Sequence, residues 1–519
     1  MATRRLHATK DTSNIPARRQ TSLDLPSIPF STARSVFGMI HPMSQRSATP
    51  APNRRQIGVW DSVSIVVGIV IGVGIHETAP TVFNFAGSAR VAMAFWILGG
   101  VISLAGALCY AELASAYPRS GGEYCYLSRA YGRFPGFLFG WSQLTVVRTG
   151  NVGMMAFIFA EYAAKLWGLG SAQTVALAIA APLVFSGLNI LGVAVGTRTQ
   201  NALTILKLIG FSSIIVAGLV WGDGGTATAT TATSTAGEAS LGLALLFVLF
   251  TYGGWNDAAL VTSEIKDCRK NIVRSLIIGV AIITGVYLLV NMAYLRAMGF
   301  EAARDSTGIA AEALKLAFGP IGAKIMSIIV MISALGAVNG IVFTGARIYA
   351  TMGEDHRFFA WLSRWHPKFG TPVWSLLAES AITIALILIL GTETGRSVID
   401  RILMTFSFDA IAWQGRPFNN LFQWCAPFFW LFFFLTGISV FVLRRKEPNV
   451  DRPFQMPLYP VAPLVFCASS AWCLWSSITY AGKLLFLGSI PALIGIGIYL
   501  FSQEAAATKD PPENEPPIS

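Results

Sequence analysis

Twelve apolar stretches of roughly 20 residues, each long enough to cross ~30 Å of hydrocarbon as a helix, dominate this chain. They lie at about 58–83, 91–116, 136–164, 173–192, 199–221, 240–265, 272–298, 322–351, 372–391, 421–443, 458–480 and 484–502. A chain patterned this way has few options besides a bundle of membrane-crossing helices, because lipid offers no partner to an open backbone. Apolar residues make up 54% of the 519 and charged residues 13%, well below the ~25% of soluble domains. The expectation is one membrane domain over 57–503. It is flanked by a polar N-terminal tail at 1–56 and a polar C-terminal tail at 504–519. No separate domain is left to carry an enzyme, and no catalytic motif, metal-ligand spacing or cofactor motif is present.

Two of the stretches are interrupted by glycines. The first is Val66–His76, VVGIVIGVGIH, with Gly72 and Gly74; the second is Leu249–Asp257, LFTYGGWND, with Gly253 and Gly254. A helix unwound at mid-depth frees N–H and C=O groups that must find partners. A polar ligand at the bilayer midplane supplies them, and paired broken helices half a protein apart point to a secondary transporter's site. Gly68, Gly99 and Gly100 read instead as positions of close helix packing.

The formal net charge of +11 is first an orientation signal. Lys and Arg cluster at Arg54–Arg55, Arg119–Arg133, Lys266–Arg274, Arg357–Lys368 and Arg444–Arg452. With twelve spans these fall on one side together with both termini, which the positive-inside rule assigns to the cytoplasm. Arg296, Arg304, Arg396, Arg401 and Arg416 on the other side weaken the contrast. The basic residues are dispersed over loops, so no nucleic-acid partner is expected. The six cysteines show neither a disulfide framework nor metal-ligand spacing. The Arg-rich start resembles a transit peptide but reads more simply as a disordered tail, and no removable signal peptide is expected. Residues 222–239 form a low-complexity outer loop, and 392–418 a polar outer connection with a short surface helix.

Several runs carry a family resemblance: GALCYAEL (Gly106–Leu113), PRSGGEYCYL (Pro118–Leu127), LFTYGGWN with VTSEIKDCRKNI (Val261–Ile272), GTRTQNALTILKL (Gly196–Leu208), AVNGIVFTGARI (Ala337–Ile348) and RRKEPNVDRPF (Arg444–Phe454). Together they resemble the amino acid–polyamine–organocation superfamily, most closely its L-type amino acid transporter branch, over about residues 57–480. The resemblance implies an all-α polytopic membrane protein of LeuT-like fold. It has a 5+5 inverted repeat within twelve transmembrane helices, with spans 1 and 6 broken around the substrate.

An α-amino acid carries a carboxylate and an ammonium ~3 Å apart. The exposed amides and positive dipole end of one half-helix suit the carboxylate, and unwound carbonyls suit the ammonium. By resemblance, the amides of Val73 and Gly74 beside Gly72 take the carboxylate, and the carbonyls of Val70, Phe250 and Gly253 take the amine. Phe250 also gates the site, and Trp255 and Asn256 belong to it. Val73 stands where the family often has serine, and His76 and Glu77 stand where apolar residues are usual. His76 has three open readings: a proton site, a substrate contact, or a satisfied cavity histidine. Asn256 reads equally as a helix cap or a pocket residue.

Ionisable groups inside a membrane are costly and usually functional. Lys207 lies within span 5. In the family, a lysine here takes the place of the sodium of LeuT-like symporters, which implies sodium independence. Whether it is a fixed cation or also carries a coupling proton stays open. Arg148 and Asp257 are further buried groups, paired with one another or with other partners. Glu112 and Glu264 read as ion-pair partners at helix ends, and Arg347 as an anchor. L-type carriers of animals bond to a glycoprotein through a cysteine between spans 3 and 4. Here Lys165–Gln173, KLWGLGSAQ, has none, so no disulfide-linked heavy chain is expected. This also points to a bacterial inner membrane. The reading is a permease for amino acids, neutral ones first, with no cofactor and with His76 and Asp257 as specificity candidates. The alternatives are a carrier of polyamines or organic cations, using Asp257 or Glu77 for a second ammonium, and a membrane nutrient sensor that has lost transport.

Overall fold

The computed structural model describes residues 56–222, 238–306, 308–413 and 415–507. The two tails and the low-complexity loop of the sequence reading lie almost wholly outside these residues.

The helices, in chain order, are α1 (Val59–Val70), α2 (Gly74–Ala86), α3 (Ala89–Ala116), α4 (Glu123–Tyr131), α5 (Arg133–Ser142) and α6 (Arg148–Trp167). They continue with α7 (Ser171–Ile190), α8 (Val193–Trp221), α9 (Glu238–Tyr252), α10 (Cys268–Asp305), α11 (Ile309–Phe318) and α12 (Gly322–Asp355). The last five are α13 (Val373–Gly391), α14 (Glu393–Thr405), α15 (Pro417–Lys446), α16 (Val461–Ala481) and α17 (Lys483–Ala507). Among the described residues there is no strand, only an isolated bridge between Ile57 and Ile265.

Among the described residues, ten helical segments are long and apolar enough to cross a membrane alone, and α1 with α2, bent by 51°, makes an eleventh. The run of α5 and α6, expected as a further span, is joined without interruption by a π-helical turn at Gln143–Val147 but falls outside that set. Its polar content is what sets it apart: Arg148, Asn151 and Gln143 face inward rather than toward lipid. The result is an all-α, multi-pass membrane protein.

The boundaries follow the apolar runs closely, with three additions. The segment after Pro118 turns back as α4, buried on one face, where the sequence suggested only a loop. A separate helix, α11, precedes α12. The final helix extends to Ala507, past the 503 expected for the domain end. The surface helix expected within 392–418 is α14, and Trp413 donates its indole N–H to Asp400 (2.8 Å).

Core packing explains the non-site glycines. A Cβ at Gly99 would meet Val248, and one at Gly100 would meet Thr284 at 2.6 Å. The two broken spans are tied at one end of the bundle, here called the proximal end. There the Ile57 amide donates to the Glu264 carbonyl (3.0 Å) and the Lys266 amide to the Ile57 carbonyl (2.9 Å).

Candidate substrate-binding cavity

In the first break the helix stops at Val70, Ile71 is extended, and α2 restarts at Gly74. The break strands groups on both sides. On the carbonyl side, Gly68 has lost its amide partner, and the buried Lys207 ammonium replaces it at 2.6 Å. The Val70 carbonyl is met by the Tyr287 hydroxyl at 2.8 Å, and the same hydroxyl lies 2.9 Å from the Thr251 carbonyl. Its single proton is thus shared between the two broken spans. On the amide side, no acceptor among the described residues faces the N–H groups of Gly72, Val73 and Gly74. They lie at the positive end of α2.

The second break is tighter. The Gly253 amide returns to the Phe250 carbonyl (2.9 Å), and the Asp257 amide to the Gly254 carbonyl (3.2 Å). The chain leaves Gly254 at φ 107° and continues as a 3-10 helix, Trp255–Glu264. A Cβ on Gly254 would sit 2.8 Å from the Ile69 side chain, so this turn rests directly on the first broken span.

Between the breaks lies a cavity of about 120 Å³. Gly72, Val73 and Gly74 form one wall, and Phe250, Thr251, Gly253, Gly254, Asn256 and Asp257 another. Gln143, Arg148 and Asn151 close it on the side of α6, and Phe429, Phe432 and Phe433 on the side of α15. An apolar enclosure with a few convergent polar groups is the usual form of a small-molecule site. Phe250 packs edge-on to Phe422, with ring centroids 4.4 Å apart.

The structure brings together most, not all, of the expected site residues. Val70, Gly72, Val73, Gly74, Phe250, Gly253, Asn256 and Asp257 line the cavity, while Trp255, His76 and Lys207 do not. Trp255 points away, into an aromatic cluster with Tyr110 (5.0 Å) and Phe433 (5.7 Å). It is the first residue after the turn at Gly254, whose φ sets that direction. His76 lies one turn beyond the break, stacked on Phe211 at 4.8 Å, with Nδ1 2.5 Å from the Tyr294 hydroxyl. It faces a second, distal cavity of about 590 Å³. There Glu77 pairs with Arg416 (2.9 Å), which also reaches Glu161 (3.0 Å).

Asp257 reaches the cavity but is already claimed. Its Oδ1 lies 2.6 Å from Arg148 Nη2, and its Oδ2 accepts from the Thr344 hydroxyl (2.8 Å). Arg148 further donates to the Ile341 carbonyl (3.1 Å), so one guanidinium joins α6, α12 and the 3-10 helix. Glu112 binds Arg444, and Glu264 binds Arg347, each through two short contacts. Both carboxylates are thus ion-pair partners, and Arg347 is an almost fully buried one.

The sequence reading missed Glu123, Tyr287, Gln143 and Asn151. Glu123 is buried on the cavity wall; its Oε1 accepts from Asn256 Nδ2 (2.5 Å) and from the Tyr110 hydroxyl (3.1 Å). A signal was present in SGGEY: a carboxylate directly after two glycines with positive φ is presented by a sharp turn rather than by an exposed loop. Among the described residues no group of His, Cys, Asp and Glu has the placement to hold a metal, and the six cysteines are unbonded.

The amino acid permease family profile matches residues 57–495, nearly the whole helical domain. The chain belongs to the amino acid permease family. This permease is 30% identical over 449 residues to the serine/threonine exchanger SteT of Bacillus subtilis (strain 168), covering 86% of this chain and 96% of that one. It is 31% identical over 463 residues to the human large neutral amino acids transporter small subunit 2, covering 86% and 80%. It is 28% identical over 417 residues to the mouse b(0,+)-type amino acid transporter 1, covering 78% and 79%. The L-type resemblance read from the motifs agrees with these relatives, and the family is one of transporters rather than enzymes.

Proposed function

We propose that this permease carries amino acids, neutral ones first, by alternating access around the cavity between the two breaks. The observation that supports this most directly is the row of three unclaimed amides at Gly72, Val73 and Gly74. They suit a carboxylate. The ammonium then lies toward the second break, near the Phe250 and Gly253 carbonyls, and Phe250 covers the bound molecule. The Val70 carbonyl, already met by Tyr287, has one lone pair left for it.

Lys207 fills the role of a bound cation at the end of α1, so uptake is sodium-independent. A relative named as an exchanger favours exchange over symport. The basic clusters favour both termini in the cytoplasm, and the missing cysteine favours a bacterial inner membrane. The cysteine-free connection between α6 and α7 favours function without a disulfide-linked heavy chain.

The test is uptake of labelled serine and leucine into proteoliposomes preloaded with unlabelled amino acid. The expected result is equal uptake in sodium and choline buffers and little uptake into empty vesicles. A steep sodium dependence would refute the role given to Lys207.

A further inference from the structure

The carboxylates first considered as holders of a second ammonium are both occupied. Asp257 is bound by Arg148, and Glu77 by Arg416. Glu123 is different. It is 3% exposed, it lines the central cavity, and its Oε2 has no partner. Its Oε1 receives only neutral donors, an amide and a phenol. The charged groups facing it are Arg148 and Asp257, which neutralise one another, and the remaining titratable neighbours are Tyr110 and Tyr126. Asn256 Oδ1, beside it, is also unpartnered. A second such carboxyl, Glu379, is fully buried near Tyr349 and Arg148 but lies off the cavity wall. Of the two, only Glu123 is within reach of a ligand.

A buried carboxyl with no cation bonded to it is kept neutral by a proton or receives a positive charge. We propose that Glu123 extends this permease to substrates with a cationic side chain. In the empty cavity the carboxyl is protonated. When a side-chain ammonium arrives, the carboxyl proton leaves to solvent, and the carboxylate and the intact ammonium pair. Asn256 Oδ1 supplies a second acceptor for the same group. The substrate's own carboxylate and α-ammonium stay at the breaks, so the inference rests on the recognition proposed above.

The experiment compares lysine with norleucine, which has a methyl where lysine has its ammonium. Calorimetry on the purified protein, in buffers of different ionisation enthalpy, reads both affinity and proton release. Wild type should bind both, lysine with net proton release and norleucine with none. Glu123→Gln, which keeps shape and hydrogen bonding, should weaken lysine roughly ten- to a hundredfold more than norleucine. Glu123→Asp, which keeps the charge but retracts it, should fall between, and it serves if the glutamine variant does not fold. Lysine binding without proton release, equal loss of both ligands in Glu123→Gln, or norleucine binding without lysine binding would each overturn the proposal. In the last case the backbone recognition would survive. Binding of neither ligand would overturn both.

Discussion

At the first break the chain leaves three consecutive amides bare, while at the second the Gly253 amide and Gly254 carbonyl are closed within the turn itself. The first sits between two α-helical halves and borrows partners from afar, Lys207 and Tyr287. The second passes through a left-handed glycine into a 3-10 helix and fastens its next carboxylate to Arg148. One break leaves its amides open toward the cavity; the other closes most of its groups within its own turn. Two glycine pairs that look alike in sequence therefore do different work. Substitutions should separate them.

The largest effect is expected at the fastening of the second break. Asp257→Asn leaves the Arg148 guanidinium buried without its counter-charge, a loss on the order of 3–5 kcal/mol. The thermal midpoint of the purified protein should fall sharply, and uptake with it. The double variant Arg148→Met with Asp257→Leu should recover part of the midpoint, because it removes both charges. A double variant no more stable than Asp257→Asn would show that the pair does more than neutralise itself.

Next comes the turn. Gly254→Ala forces a side chain into φ 107° and toward Ile69, at a cost of about 1–3 kcal/mol, and uptake should drop roughly ten- to a hundredfold. Gly72→Ala meets the Ser333 hydroxyl at 3.7 Å and the Val70 carbonyl at 3.8 Å, both ordinary contacts, and should keep uptake within severalfold of wild type. Equal losses at the two positions would erase the distinction between an open and a fastened break.

The smallest effect belongs to His76. It follows the open break but faces the distal cavity, so His76→Phe should leave the rank order of amino acid substrates as in wild type and alter only the overall rate. A changed order in competition assays would bring His76 back to the substrate.

The positions of the breaks were legible because glycine in a 20-residue apolar run has few explanations, and both breaks fall where the glycines are. Most span boundaries followed from run length alone, while the count did not: twelve runs were expected and ten or eleven segments qualify among the described residues. Side-chain direction did not. Trp255 and Asn256 are neighbours, yet one enters an aromatic cluster and the other the cavity, because a 3-10 helix and a left-handed glycine reset the angular register that sequence spacing assumes. The pairing of Arg148 with Asp257 was left open because it joins residues 109 positions apart. Glu123 was missed because α4 folds back into the bundle, and the only local sign of it is the glycine pair Gly121–Gly122 that precedes the carboxylate. The close-packed glycines were legible as a class, but their partners, Val248 for Gly99 and Thr284 for Gly100, come only from tertiary structure.

The contact between Lys207 and the Gly68 carbonyl has a thermodynamic consequence. A dissociable ion at that place would enter from one compartment and leave into the other, carrying the work stored in its gradient. A cation attached to the chain by a side chain returns to its starting point in every cycle and delivers no net work. In the exchange proposed above, such a carrier equalises the ratios of its substrates on the two sides and changes the composition of the pools it connects, not their total.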